Sequence, residues 1–178
     1  MIILRSFQPE DDEKLIKWIN SPELLVQWGG SDFNYPLTKP QLEKYRKRMQ
    51  EGRLRIYSAV NEEGEVIGHI SLDYIDKKNE SARICRVLIG SEADRGQGKG
   101  QEMMRQVLHT AFEEMQLHRV SLGVFDFNLS AAAAYKKVGF VKEGRLRDKV
   151  KVGEEFWSLL EMSMLSNEWK KNIKNEDA

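Results

Sequence analysis

The chain has 178 residues, 40% hydrophobic and 31% charged, which fits one soluble globular domain with a substantial core. Its 28 basic residues balance 28 acidic ones, so the net charge of zero gives no reason to expect a nucleic-acid partner. No apolar run approaches the roughly 20 residues that cross a bilayer, so no membrane partner is expected.

Residues 2–7 read as a first strand. They show neither the basic region nor the cleavage site of a leader, and the expected compartment is the cytoplasm. Pro9 and Asp11 open a short helix with Leu15, Trp18 and Ile19 on one face. Ser21-Pro22-Glu23 starts another. Residues 27–40 read as a loop in which Trp28, Phe33 and Tyr35 stand among Gly, Ser, Asp and Pro. Thr38 is placed to cap the next helix, which carries Pro40 in its first turn and ends near Gln50. Lys and Arg cluster at 44–48, but flanking glutamates give the pattern of a solvated helix face.

Residues 54–60 and 66–74 read as a hairpin across Asn61-Glu62-Glu63-Gly64. A polar turn at 76–80 leads to a strand at 82–89, and the meander implies antiparallel pairing. The single cysteine, Cys85, lies in that strand. It cannot form an intrachain disulfide and reads as a small core residue. From Gly98 the apolar period changes from two to about 3.6. Met103, Met104, Val107, Leu108, Ala111, Phe112 and Met115 then line one helical face, a core pattern.

A strand at 119–125 follows, and strand, helix, strand predicts a crossover with parallel neighbours. Asn128 caps a helix through Tyr135 that Gly139 ends, and Phe140 starts a further strand. The last strand is expected over 150–164 with a turn at Gly153. Trp169 sits in an amphipathic tail. Residues 170–178 are expected to fray, so the domain is drawn over 1–169.

The run Asp94-Arg95-Gly96-Gln97-Gly98-Lys99-Gly100 joins the strand at 82–89 to the long helix. Glycines let the backbone approach a ligand, and the first amides of a helix lack internal partners at the positive end of its dipole. The run is therefore a candidate anion cradle, best suited to a pyrophosphate. A Walker loop would need Ser or Thr after Lys99, where Gly100 stands. A dinucleotide fingerprint would place the third glycine one position later, on a first strand–helix unit. Both readings fail on spacing.

The spacing that fits is Arg95-x-x-Gly98-x-Gly100. Here the chain resembles the Gcn5-related N-acetyltransferases, the GNAT superfamily, whose motif reads Gln/Arg-x-x-Gly-x-Gly/Ala. The likeness continues through Asn128-x-Ser130 and Ala134-Tyr135-Lys136-Lys137-Val138-Gly139-Phe140. Leu117-His118-Arg119-Val120 and Glu143-Gly144-Arg145-Leu146-Arg147 look like the subgroup that includes ribosomal-protein N-terminal and spermidine acetyltransferases. The resemblance implies an α/β (α+β) fold: a single domain with a mixed, mostly antiparallel, twisted sheet, splayed at its centre, with helices on both faces.

The resemblance also implies acetyl-CoA as co-substrate. Amides from Arg95 through Gly96, Gln97, Gly98 and Lys99 to Gly100 would hold its pyrophosphate. Lys99 either adds a phosphate contact or stays solvated. Val87, Leu88 and Ile89 would pair with pantetheine and polarise the thioester carbonyl. Asn128 would serve both as helix cap and as a hydrogen-bonding partner of the cofactor. Tyr135 would be the general acid for the leaving thiolate; its reference pKa near 10 keeps it protonated at neutral pH.

The implied reaction is direct attack of a primary amine in a ternary complex. The alternative is a CoA-binding module of the same fold without catalysis, against which Tyr135 argues. The acceptor is a protein N-terminus, a polyamine or a small amine, chosen by the loop at 27–36 and the sheet beyond Val150. Trp28, Phe33 and Tyr35 either line the acceptor pocket or cover the core. A base, if a single one exists, is sought among Asp73, Asp126, Glu80 and His69; water is the other route. His109 and His118 lack partners at ligand spacing, so no metal is expected. Unpaired edge strands leave room for a homodimer.

Overall fold

The computed structural model describes residues 1–176, among which alternation and helical periodicity resolve into seven strands and six α-helices. The strand order is β1-β2-β3-β4-β5-β7-β6, with ranges as follows. The chain packs as two compact units, Met1–Tyr74 with Ile84–Met103, and Ile75–Arg83 with Met104 onward.

In the first unit β1 (Ile3–Ser6) is followed by a 3-10 turn at Pro9–Asp11, α1 (Asp12–Trp18) and α2 (Pro22–Gly29). Then come α3 (Lys39–Lys47), a 3-10 turn at Arg48–Glu51, and β2 (Arg55–Val60). Next are β3 (Val66–Asp76), β4 (Ser81–Ile89) and α4 (Lys99–His109), which both units share. β1 pairs antiparallel with β2, Ile3 opposite Val60, and β2 antiparallel with β3, Arg55 opposite Leu72. Beneath them Leu15, Leu25, Trp28, Leu42, Tyr45 and Ile56 form the core. Each such burial contributes roughly 1.5–3 kcal/mol.

Two expectations change here. Trp28 is not in a loop but in the last turn of α2. Its spacing from Leu25 puts both in the core, and Gly30, at φ 61, ends the helix. Thr38 holds the N-cap position of α3 without a side-chain cap; its hydroxyl accepts from Gln41 Nε2 at 3.2 Å.

In the second unit α4 continues through a π-helical turn at Thr110–Glu114, closed by the Met115 amide on the Thr110 carbonyl. Met104, Val107, Leu108, Ala111 and Phe112 are buried as their spacing predicts. There follow β5 (Arg119–Phe125), α5 (Leu129–Val138), β6 (Val141–Val152), β7 (Glu155–Leu165) and α6 (Ser166–Glu176). β7 pairs antiparallel with β5, Leu122 opposite Met162, and with β6, Val152 opposite Glu155. The strand expected over 150–164 is thus the end of one strand and most of the next. The strand expected from Phe140 is β6; it is largely exposed and polar, so no alternation marked how far it runs. α6 runs through most of 170–178, with Trp169 stacked on Phe112 at 5.9 Å; residues 177 and 178 lie outside the described residues.

Candidate active site

β4 alternates cleanly: Ala82, Ile84, Arg86 and Leu88 are buried, while Cys85, Val87 and Ile89 keep partial exposure. Arg86 sits at φ 55, in the left-handed region, midway along the strand. A residue there breaks the regular pleat and frees neighbouring backbone groups from the ladder. Val87, Leu88 and Ile89 follow directly. At Gly90 a Cβ would lie 2.0 Å from the Trp18 ring, so only glycine lets the chain leave the strand along this path.

The glycine loop then turns through Gly96 (φ 74) and Gly98 (φ 78) into α4. Open space surrounds both, so conformation and not room demands glycine. The Glu102 amide donates to the Gly98 carbonyl at 3.0 Å. The amides of Lys99, Gly100 and Gln101 precede that bond and lie at the open end of the helix. The loop's cations turn inward. Arg95 donates from Nε to the Ile89 carbonyl (3.1 Å) and from Nη2 to the Gly90 carbonyl (3.3 Å), bracing the loop on the end of β4. Lys99 pairs with Asp94, and Gln97 Nε2 donates to the Ala93 carbonyl at 2.6 Å.

A polar ring with a buried centre, Arg86 and Asp73, and an open rim, Asp32 and Arg48, lies in the same unit. Arg86 Nη1 donates to Asp73 Oδ2 at 2.7 Å, and Nη2 donates to Asp32. Arg48 stands 3.6 Å from each carboxylate, so two cations and two anions alternate. The Arg86 guanidinium lies 4.7 Å from the Tyr45 ring centroid and 5.6 Å from that of Phe33. The Tyr45 hydroxyl and His69 Nε2 are 3.3 Å apart, and Trp28 meets the His69 ring edge-on at 5.4 Å. Burial first, then the Arg86 charge, holds the His69 imidazole down to about 3; burial pushes the Tyr45 phenol up. Trp28 Nε1, His69 Nδ1 and Arg86 Nε are buried without a hydrogen-bond partner among the described residues.

Phe33 and Asp73 therefore meet Arg86, and Trp28 packs behind Phe33 at 5.0 Å, while Tyr35 is exposed and donates to the Asn20 carbonyl at 3.1 Å. Sequence reasoning passed over Arg86, Asp32, Arg48 and Tyr45. The signal for Arg86 was its parity: it shares the buried face of β4 with Ile84 and Leu88, where a charge requires a partner.

In the second unit Asn128 caps α5, its side chain accepting from the Ala131 amide at 3.3 Å. Tyr135 lies in the last turn of that helix. Its carbonyl accepts from Gly139 (φ 114) and Phe140, and its ring meets the Phe140 ring edge-on at 6.3 Å. Burial pushes its phenol up to about 12. Asp126 accepts from Arg145 Nε at 2.8 Å. Among the described residues no cluster of three or more potential ligands could hold a metal, and no helix is long and apolar enough to cross a membrane.

Residues 1–141 match the family model for the acetyltransferase (GNAT) domain. YdaF of Bacillus subtilis, provisionally named a ribosomal N-acetyltransferase, is 28% identical over 176 residues, covering 94% of this chain and 93% of its own. Among solved structures, the spermidine N-acetyltransferase of Vibrio cholerae in complex with CoA and spermine superposes with a TM-score of 0.83. It is 22% identical, over 95% of this chain and 98% of that one. A dodecameric structure of that enzyme, 21% identical, gives 0.78 over 94% and 95%. With a glycine loop at the mouth of α4 and a family match over most of its length, the chain belongs to the GNAT acetyltransferase family.

Proposed function

We propose that this acetyltransferase moves an acetyl group from acetyl-CoA to a primary amine by direct attack in a ternary complex. The observation that carries the reading is the glycine loop, whose left-handed Gly96 and Gly98 open onto three uncommitted helix-start amides. Such an end suits a pyrophosphate. The amides lead, because Arg95 and Lys99 spend their charge on the end of β4 and on Asp94.

The amine nitrogen, deprotonated, attacks the thioester carbonyl and a tetrahedral oxyanion forms. A backbone amide of Val87, Leu88 or Ile89, next to the irregularity at Arg86, is the proposed donor to it. The C–S bond then breaks, the thiolate takes a proton from the Tyr135 hydroxyl, and the proton that the nitrogen sheds as the amide forms passes through water to restore the Tyr135 hydroxyl. Tyr135 is the proposed donor because its raised pKa keeps the hydroxyl fully protonated in the resting enzyme. Asp73 is tied to Arg86, Asp126 to Arg145, and His69 is buried and too weak a base, while Glu80 is exposed in the turn before β4; loss of the ammonium proton through water is therefore the proposed route. Acceptors to screen are a peptide N-terminus, a polyamine and small amines. Self-association belongs to the same proposal and is read by light scattering.

The test is acetyl-CoA turnover against that panel, comparing the natural chain with Tyr135→Phe. Thiol release with at least one amine, greatly slowed in the variant, is the expected result. CoA binding with no turnover on any amine would favour the catalytically silent module instead.

A further inference from the structure

An acceptor amine arrives mostly as an alkylammonium, and poorly solvated carboxylates and aromatic faces are what hold such a cation. The first unit contains both. The buried carboxylate is Asp73 of β3, 3% exposed; Asp32, 41% exposed, reaches it from the loop after α2 at the rim, and Tyr45 and Phe33 supply ring faces. Yet all four are already occupied by the chain. Arg86 donates to Asp73 at 2.7 Å and to Asp32, and its guanidinium covers Tyr45 at 4.7 Å and Phe33 at 5.6 Å. Arg48 completes the neutralisation from the rim.

The cation is held firmly. The side chains of Arg86 and Asp73 are 4% and 3% exposed, and displacing Arg86 would leave a buried carboxylate unpaired. Of the three unpartnered buried side-chain atoms among the described residues, Arg86 Nε and Trp28 Nε1 are N–H donors, which offer an ammonium group nothing; the third, His69 Nδ1, donates or accepts according to the tautomer. The ring lies one residue before Val87, at the step where β4 departs from its pleat.

We infer that Arg86 is a specificity-determining residue whose guanidinium fills the subsite a second ammonium group would need. The enzyme accepts amines with no further positive charge nearby, as in a peptide α-amine, and rejects polyamines. This rests on the acetyl-transfer reading above.

The experiment measures Kd by calorimetry and kcat/KM for two probes: spermidine, and a short peptide whose only amine is its N-terminus. The natural chain is expected to favour the peptide in both. Arg86→Gln is expected to bind spermidine roughly tenfold more tightly or better than the natural chain. Spermidine should also raise its melting temperature, as it does not for the natural chain. Should Arg86→Gln not fold, Arg48→Gln at the half-exposed rim is expected to shift the spermidine-to-peptide ratio in the same direction, by a smaller factor. Natural chain that favours spermidine, or a folded variant that gains no spermidine affinity, overturns the inference. A gain in spermidine affinity without acetyl transfer to any amine upholds the subsite and overturns the acetyl-transfer reading instead.

Discussion

Tyr135 keeps its proton because burial disfavours the phenolate, which pushes its pKa to about 12. A hydroxyl so held is fully protonated at neutral pH, as the proposed proton donor must be. Tyr135→Phe should therefore lower kcat by roughly 10²-fold or more while CoA affinity stays within a few-fold, read by steady-state kinetics beside calorimetry. His69 makes a different kind of prediction. Its folded pKa of about 3 lies below the ordinary 6.5, so the native state stays neutral where the unfolded chain takes up a proton. Between about pH 6.5 and 3 the unfolded state binds more protons, and stability falls as pH falls, with a slope of up to ~1.4 kcal/mol per unit. Urea unfolding across that range should show the slope, and His69→Gln should flatten it. A slope that survives the substitution would assign it to other groups.

Between strand and helix, the glycine loop works by backbone conformation. Gly98 at φ 78 would cost about 1–2 kcal/mol as alanine, although no neighbour blocks a Cβ. Gly98→Ala should weaken CoA roughly tenfold while moving the melting temperature little, because the strain falls on an exposed loop. Gly90 fails for the opposite reason: a Cβ there meets the Trp18 ring at 2.0 Å. Gly90→Ala is expected to destabilise the fold by roughly 1–3 kcal/mol through overpacking, with a lower denaturation midpoint and unchanged m-value. At α5, Asn128→Ala removes the bond from the Ala131 amide, and about 1 kcal/mol of helix stability should go with it.

For the whole molecule, a ligand that binds only the folded chain must raise its melting temperature. At about 100 times its Kd, CoA should stabilise by ~2.7 kcal/mol, which for a chain of this size is a rise of roughly 5–10 °C. ATP and NAD at the same concentration should give none; equal shifts from all three would mean a general phosphate site. Strands and helices were largely legible because period-two and period-3.6 patterns state which face is buried, as Met104, Val107, Leu108 and Ala111 did for α4. The glycine loop and the Asn128 cap were legible because local backbone geometry restricts the residue types allowed, whereas Tyr135 was singled out by resemblance to the family and by no local rule. The start of β6 at Phe140 and the turn at Gly153 were legible, but its far end was assigned to the next strand because an exposed strand has no apolar face to mark its length. The ring of Arg86, Asp73, Asp32 and Arg48 was not legible, since its members lie 13 to 54 positions from Arg86 along the chain and no local rule pairs them. Sequence by itself pointed to the family, through short motifs, and to most of the elements, both of which depend on near neighbours. Tertiary structure alone decided which charges neutralise one another, because a buried cation is paired by whatever the folded sheet and loop bring within reach.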